Sequence, residues 1–447
     1  MIDGTNVTVH NFFMLIQYRP QGRNASEISR DVETALREGR VTPGVTLPPV
    51  RALAADLSLS PVTVAAAYRK LREKGIARGK GRAGTRITEA PPIGPRPPIV
   101  VPAGVRNLLA GSPDPALLPG LPAVTPPPRT YGDPPVSPRL GRLAAERLRA
   151  DGIDPQHLAV VGGALDGVER VLQAWLRPGD RVAVEDPGYP PVLDLLTAMN
   201  LGAVPMAVDE FGVRPGALRD ALDRGCQAVL FTPRAQAPTG AAWDAGRAGE
   251  LSTLLASRPG ARVVEDDHAG PVSGTAAHTA AGGAQRWATI RSVSKSLGPD
   301  LRLAVLAGDA VTVSRVEGRQ ALGTGWVSGL LQEIVAGLWE DRATGRLLAR
   351  AAAEYSRRRR DLIDALAGRG VPATGRSGLA VWVPVADEPA AVSGLLERGW
   401  AVAPGERFRT ASPPGIRIGT GTLTSQEASR LAADIAGSLA RRPRRGD

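Results

Sequence analysis

Apolar positions near the start of the chain recur with a helical period. Ile28, Val32 and Leu36 share one face of a helix expected to be capped near Ser26 and ended by Gly39. A second helix is expected after Pro48 and Pro49, with Val50, Leu53, Ala54 and Leu57 as its apolar stripe. Ser58 and Leu59 make a turn. Ser60 and Pro61 suit the N-cap and first position of a third helix, whose inward face carries Val64, Tyr68 and Leu71. Gly75 would end it, and residues 76–87 read as a hairpin around the loop GKGRAG.

The pattern then changes. Residues 91–102, PPIGPRPPIVVP, hold six prolines and read as a stiff, extended linker. Beyond it, short apolar runs recur at 159–161, 182–184, 228–231, 263–264, 290–293 and 303–306, separated by amphipathic stretches. The helix at 165–176 places Val168, Val171, Leu172 and Trp175 at helical spacing. Buried strands alternating with helices predict an α/β body around a mostly parallel sheet. After about Tyr355 a helix and the strand-like LAVWVPV predict a smaller C-terminal lobe.

The expected division is therefore an N-terminal unit at 1–90, a linker at 91–103 and a body at 104–447. Within the body the large lobe is expected over about 130–350 and the small lobe over about 351–440. No apolar run reaches the roughly 18–20 residues of a membrane span. The short greasy stretch at 12–16 has no preceding lysine or arginine, unlike an export signal. A single cysteine, Cys226, excludes an intramolecular disulfide, and four histidines leave little material for a metal site. A soluble, cytoplasmic protein with no metal and no membrane partner is expected.

Charge sharpens the picture at the N-terminus. The net charge is +11, and residues 1–90 hold 14 basic and 8 acidic side chains. Over 68–86 eight basic residues face the lone acid Glu73, the footprint of an anionic partner. Helix, short turn, helix and basic hairpin form a winged helix-turn-helix pattern. The stretch LPPVRALAADLSLSPVTVAAAYRKLREKGIARGKGRAGTRI resembles the GntR-type DNA-binding domain along its whole length. In that geometry the third helix presents Ser60, Val62 and Thr63 to the major groove of double-stranded DNA. Arg51, with Lys80 and Arg82 in the wing, would meet phosphates or the minor groove. Pro61 and Ala65 stand where many relatives carry arginines.

Lysine usage points to the chemistry of the body. Only four of 55 basic residues are lysine, and Lys295 is the one lysine after residue 80. A lysine that persists among arginines can form a Schiff base, which a guanidinium cannot. It sits in SVSKSLGPDLR, where Ser292 and Ser294 lie two apart, a spacing that puts both on one side of a strand to face a phosphate. Arg302 would add a charged fork to the same phosphate. Gly162-Gly163-Ala164 joins a strand to a helix N-terminus, where amides favour an anion. VEDDHAG ends another strand with consecutive acids, one of which would face a pyridine nitrogen. EDPGYP supplies Tyr189 to stack on the ring, and Arg417 in PPGIRIGTG would grip a carboxylate. Together these pieces fit a site for pyridoxal 5'-phosphate.

Residues 104–436 resemble the aspartate-aminotransferase-like enzymes of fold type I. Joined to the winged helix, the chain resembles the MocR-type subfamily of GntR regulators. The markers are GSPDPALLP, YGDP, GDRVAVEDPGYP, TPRAQAPTG, EDDHAG and SVSKSLGPDLRLA. The resemblance implies Lys295 as the lysine that carries the cofactor and Asp266 as partner of the pyridine nitrogen, with Asp267 as runner-up. It implies stacking by Tyr189, phosphate contacts from Ser292, Ser294, Arg302 and the amides of Gly163 and Ala164, and effector binding by Arg417. Tyr131 would reach the phosphate of a second subunit in a homodimer. Four positions depart from the family: Ala237 replaces the asparagine that donates to the cofactor's phenolic oxygen, His268 replaces a tyrosine, and Leu165 and Asp166 replace a glutamine pair. The implied function is a DNA-binding transcriptional regulator whose aminotransferase-like domain senses an amino compound, an amino acid or the cofactor itself. The alternatives are a competent aminotransferase with a DNA-binding appendage and a cofactor-free scaffold.

Overall fold

The computed structural model describes residues 18–38, 40–73, 76–79, 84–88, 100–125 and 127–440. The chain divides into two compact units, an N-terminal one up to Arg96 and one holding most of the remainder.

In the N-terminal unit α1 spans Ala25–Arg37, α2 Val50–Asp56 and α3 Pro61–Glu73. The hairpin strands β1 (Ala77–Gly79) and β2 (Thr85–Ile87) pair antiparallel. Ile28, Val32, Leu53, Val64, Tyr68 and Leu71 are buried in one cluster, as their spacing predicts. The cap of α1 is not Ser26 but Asn24, whose side chain accepts from the Ser26 and Glu27 amides. Glu27 completes the reciprocal arrangement by accepting from Arg23 N, which leaves Ser26 inside the first turn. Gly39, Gly75, the loop residues Lys80 and Arg82, and residues 91–99 of the proline stretch lie outside the described residues.

The body begins with β3 (Arg106–Asn107) and α4 (Pro138–Ala150). Strands and helices then alternate: β4 (His157–Val161), α5 (Ala164–Trp175), β5 (Arg181–Asp186), α6 (Pro190–Ala198), β6 (Gly202–Asp209) and β7 (Gly212–Val213). They continue through α7 (Pro215–Asp223), β8 (Ala228–Phe231), α8 (Ala245–Ala256), β9 (Arg262–Asp267), β10 (Arg286–Ser292) and β11 (Ala304–Gly308). The sheet order is β4-β11-β10-β9-β8-β5-β6-β7. From β10 to β6 every pairing is parallel, whereas β11 runs antiparallel to both neighbours. Strands such as β8 are buried at every position, the signature of a sheet covered on both faces. Val305 and Ala307 pack with α4 and with Val335 and Ala336, while Val229 and Val263 pack under α7 and α8.

Two differences from the sequence pattern bear on the site. β10 stops at Ser292, because the Ser294 amide turns back to donate to Ser292 Oγ at 3.2 Å instead of continuing the ladder. Ser294 therefore lies in the following turn rather than on the strand. Tyr355 does not mark the start of the C-terminal lobe's helix, since it lies in the middle of α11 (Arg342–Ala367), after α9 (Ala310–Ala321) and α10 (Gly329–Glu340).

Helix α11 (Arg342–Ala367) runs into the small lobe. There β12 (Ala380–Pro384) is followed by α12 (Glu388–Glu397), β13 (Trp400–Ala401), β14 (Ala403–Pro404), β15 (Gly415–Gly419) and α13 (Ser425–Ala440). Strands β12, β15 and β14 form a three-stranded antiparallel sheet, and β13 pairs with β3. Leu108 from the start of the body is buried in the same core as Trp400 and Ile416.

Candidate functional site

Because β4, β5, β8, β9 and β10 point the same way, the turns leaving their carboxyl ends share one edge of the sheet, the edge where ligands bind in such folds. A pocket opens there, lined by Glu185 at the end of β5 and Tyr189 after it, Thr232 and Ala237 after β8, and Asp266 and His268 at the end of β9.

Successive strand residues face opposite ways, so Asp266 and Asp267, the last two of the three acids of β9, meet different surroundings. Asp266 lines the pocket, and its buried Oδ1 has no hydrogen-bond partner among the described residues. Burial, reinforced by the charges of Asp267 and Glu185, pushes its carboxyl up to about 7. Asp267 is buried too, but Arg234 and Arg291 hold its carboxyl well below the usual range. Arg234 donates to it through Nε at 2.8 Å and Nη2 at 2.7 Å, and Arg291 through Nε at 2.9 Å. Asp151 closes the network on Arg291 at 2.6 Å. Of the two candidates only Asp266 has an acceptor left to offer a ligand.

Lys295 lies just beyond β10 and donates from Nζ to the Gly111 carbonyl at 2.5 Å. Burial first, and the charge of Arg417 second, bring its ammonium down to about 8. His268 is neutral at pH 7, since burial and then the charge of Lys295 lower it to about 4. Arg417, on β15, donates to the Leu109 carbonyl at 2.9 Å and keeps a buried Nε without a partner among the described residues. Burial lowers it to about 10. Gly111 fits between these cations because a Cβ there would collide with the Arg417 guanidinium.

The turn into α5 has the form of an anion cradle. Gly163 is the N-cap residue with φ +117°, and a Cβ on it would lie 2.7 Å from Arg302 Nη2. Arg302 donates to the Gly162 carbonyl at 3.1 Å. Asp166 caps the same turn, accepting from the Gly162 amide at 2.8 Å and pairing with Arg170. Ser292 Oγ and Ser294 Oγ lie 3.1 Å apart. Tyr189 is about half exposed at the pocket, and burial raises its hydroxyl pKa. Tyr131 is 95% exposed against Trp326 and is not among the pocket's lining residues.

Sequence reasoning missed three participants. Gly111 was visible only as part of GSPDPALLP. Glu185, buried in the pocket and pushed up to about 7 by burial, was read only as a neighbour of Tyr189. Asp186 accepts from the Thr410, Ala411 and Ser412 amides at 2.7–2.8 Å, which pins a small-lobe loop beside the pocket.

In the N-terminal unit Arg51 is exposed on α2. Ser60 Oγ accepts from the Thr63 amide at 3.1 Å, and the two hydroxyls lie 2.8 Å apart. Both side chains are thus engaged with each other at the start of α3.

These two assemblies match known families. Residues 125–435 match the aminotransferase class I and II family, and residues 24–87 match the bacterial regulatory proteins of the gntR family. The chain belongs to the MocR-type regulators, transcriptional regulators that join a GntR winged helix-turn-helix to a fold-type I aminotransferase domain. It is 38% identical to the vitamin B6 salvage pathway transcriptional repressor PtsJ of Salmonella typhimurium, over 94% of this chain and 99% of that one. To the HTH-type transcriptional regulator TauR of Rhodobacter capsulatus it is 28% identical, over 83% of this chain and 85% of that one. Among solved structures, kynurenine aminotransferase of Pyrococcus horikoshii in complex with PMP shares the fold. The TM-score is 0.68 at 19% identity, covering 75% of this chain and 91% of that one. The GntR domain implies DNA binding. Among the described residues no single helix is long and apolar enough to cross a membrane.

Proposed function

We propose that this regulator holds pyridoxal 5'-phosphate and couples the arrival of an amino compound, or of the cofactor itself, to occupancy of a DNA operator. Asp266 carries the reading: a buried carboxyl with an unpartnered oxygen lines a pocket whose other walls include Tyr189 and His268. Lys295 Nζ would hold the cofactor covalently, and Asp266 would face its pyridine nitrogen. Its phosphate would take the Gly163 and Ala164 amides, the Ser292 and Ser294 hydroxyls and Arg302, with Tyr189 against the ring. When bound, the cofactor supplies an aldehyde that condenses with primary amines and a ring that withdraws electrons.

The chain's own groups suit capture. Lys295, lowered to about 8, keeps a fraction of about a tenth neutral at pH 7. A carboxylate at Asp266 would gain the opposite charge its burial lacks. Arg417, with a free buried N–H, would hold the carboxylate of an amino-acid effector. Ala237 offers the pocket only a methyl group where the enzymes place an amide donor, which favours sensing over repeated transamination. The PtsJ relative's name, a vitamin B6 salvage repressor, supports the cofactor itself as the signal. We place the protein in the cytoplasm, as a homodimer that presents two winged helices to paired operator half-sites.

The test is borohydride reduction of the full chain after incubation with pyridoxal phosphate, together with titration of operator binding against the cofactor and a panel of amines. The reading expects label on the Lys295 peptide and a change in operator affinity. Label elsewhere, or none, would overturn it.

A further inference from the structure

The start of α3 offers DNA less polar chemistry than its sequence promises. Ser60 and Thr63, the two hydroxyls there, are bonded to each other, and the Ser60 oxygen also caps the helix. What projects instead is carbon. Val62 is 77% exposed, although a β-branched residue is usually found covered. Pro61 and Ala65 are also exposed, and Ala65 is one turn on from Val62 on the same face. Arg69, exposed a further turn along, continues that face with positive charge, and Arg51 is exposed on the preceding helix.

An apolar tip on a basic helix fits one feature of duplex DNA. The major groove exposes a single apolar group, the C5-methyl of thymine, among polar edges. Cationic flanks exclude a hydrophobic protein partner less well than they favour phosphates on either side of that groove. We propose that Val62 is a specificity-determining residue that reads a thymine methyl by apolar contact, with Ala65 beside it. The operator is thereby selected for T at the positions under the start of α3. The inference rests on the DNA-binding reading of the N-terminal unit and goes further by naming the readout.

The test uses the full chain. Duplexes are selected from a random pool, and each thymine of the winning site is then replaced singly by deoxyuridine, which removes the methyl and nothing else. Losing one buried methyl weakens binding about fourfold. We expect that penalty at one thymine per half-site with wild-type protein, and none at that position with Val62→Ala. The melting temperature of Val62→Ala should match wild type, because the side chain is exposed. Deoxyuridine tolerated everywhere, or a penalty that persists in Val62→Ala, overturns the inference while leaving DNA binding intact. Failure of the wild type to bind any duplex removes the underlying reading as well.

Discussion

Asp266 and Asp267, consecutive at the end of β9, are driven in opposite directions by their surroundings. The first is buried without a cation and rises to about 7, and the second is buried between Arg234 and Arg291 and falls. Removing the charge at Asp267 leaves both arginines with only Asp151, so Asp267→Asn should cost about 3–5 kcal/mol of stability, as broken buried ion pairs do. Asp266→Asn removes an unfavourably buried acid and should leave the cofactor-free protein as stable or more so. Urea denaturation of the two variants decides this, and equal losses would contradict the division of roles.

The same pair sets a pH dependence. A carboxyl raised from its ordinary value near 3.9 to about 7 binds its proton more tightly in the folded state. Stability of the cofactor-free protein should therefore fall as pH climbs from about 4 to about 7 and then level off. Glu185 is pushed up to about 7 by burial and acts with the same sign. Asp266→Asn should flatten the slope without abolishing it. Asp267 acts oppositely, since its stabilisation is present above its ordinary pKa and lost as pH falls through its depressed one.

DNA affinity should drop steeply with salt, because each phosphate contact releases counterions. Arg51→Ala should weaken binding to all sequences and reduce the slope of log affinity against log salt by about one. Deleting residues 1–90 should abolish binding. Anisotropy titrations at several salt concentrations measure both, and an unchanged slope for Arg51→Ala would remove that residue from the interface.

Local periodicity made the N-terminal helices and the strands readable, since Ile28, Val32 and Val64 needed only their own neighbours to declare a buried face. Lys295 was readable because composition had stripped away every other lysine beyond residue 80. The acceptor of its ammonium, Gly111, lies 184 residues upstream, and no local pattern links them. Only the family resemblance put Asp266 ahead of Asp267, and no local pattern in the sequence separates them. The choice turns on Arg234 and Arg291, which reach Asp267 from elements 33 and 24 residues away. Asp186 acquires its partners only when the small lobe's loop at Thr410 folds against β5. The miss at Ser26 had a different cause. Asn24 and Ser26 are equally good capping residues, and Glu27 three positions after Asn24 decided between them.

Ala237 lines the pocket with His268, and His268 is neutral at physiological pH. An amide at 237 would add a donor beside the cofactor's phenolic oxygen. Hydrogen bonds to a charged group contribute roughly 1.5–3 kcal/mol, so Ala237→Asn should lower the pH at which the bound cofactor's spectrum changes by about one to two units. It should also speed conversion of added amino acids. A spectral titration unchanged by the substitution would mean that residue 237 does not lie against that oxygen.

Arg417 should govern how readily Lys295 reacts. An amine attacks only in its neutral form, and Lys295 reaches about 8 through burial first and the Arg417 charge second. The rate of capture of added pyridoxal phosphate should therefore rise with pH through about 8 and plateau above it. Arg417→Gln keeps a polar side chain but deletes the charge, so the Lys295 ammonium should move back toward its ordinary value near 10.4. Burial, the larger cause, persists, so the return is partial, and each unit cuts the neutral fraction at pH 7 about tenfold. Capture by Arg417→Gln at pH 7 should be slower by up to about tenfold, with the rate profile displaced to higher pH and its plateau unchanged. Stopped-flow absorbance across pH 6–10 reads all three quantities. A lowered plateau with an unmoved midpoint would show that Arg417 acts on ligand binding alone and not on the lysine.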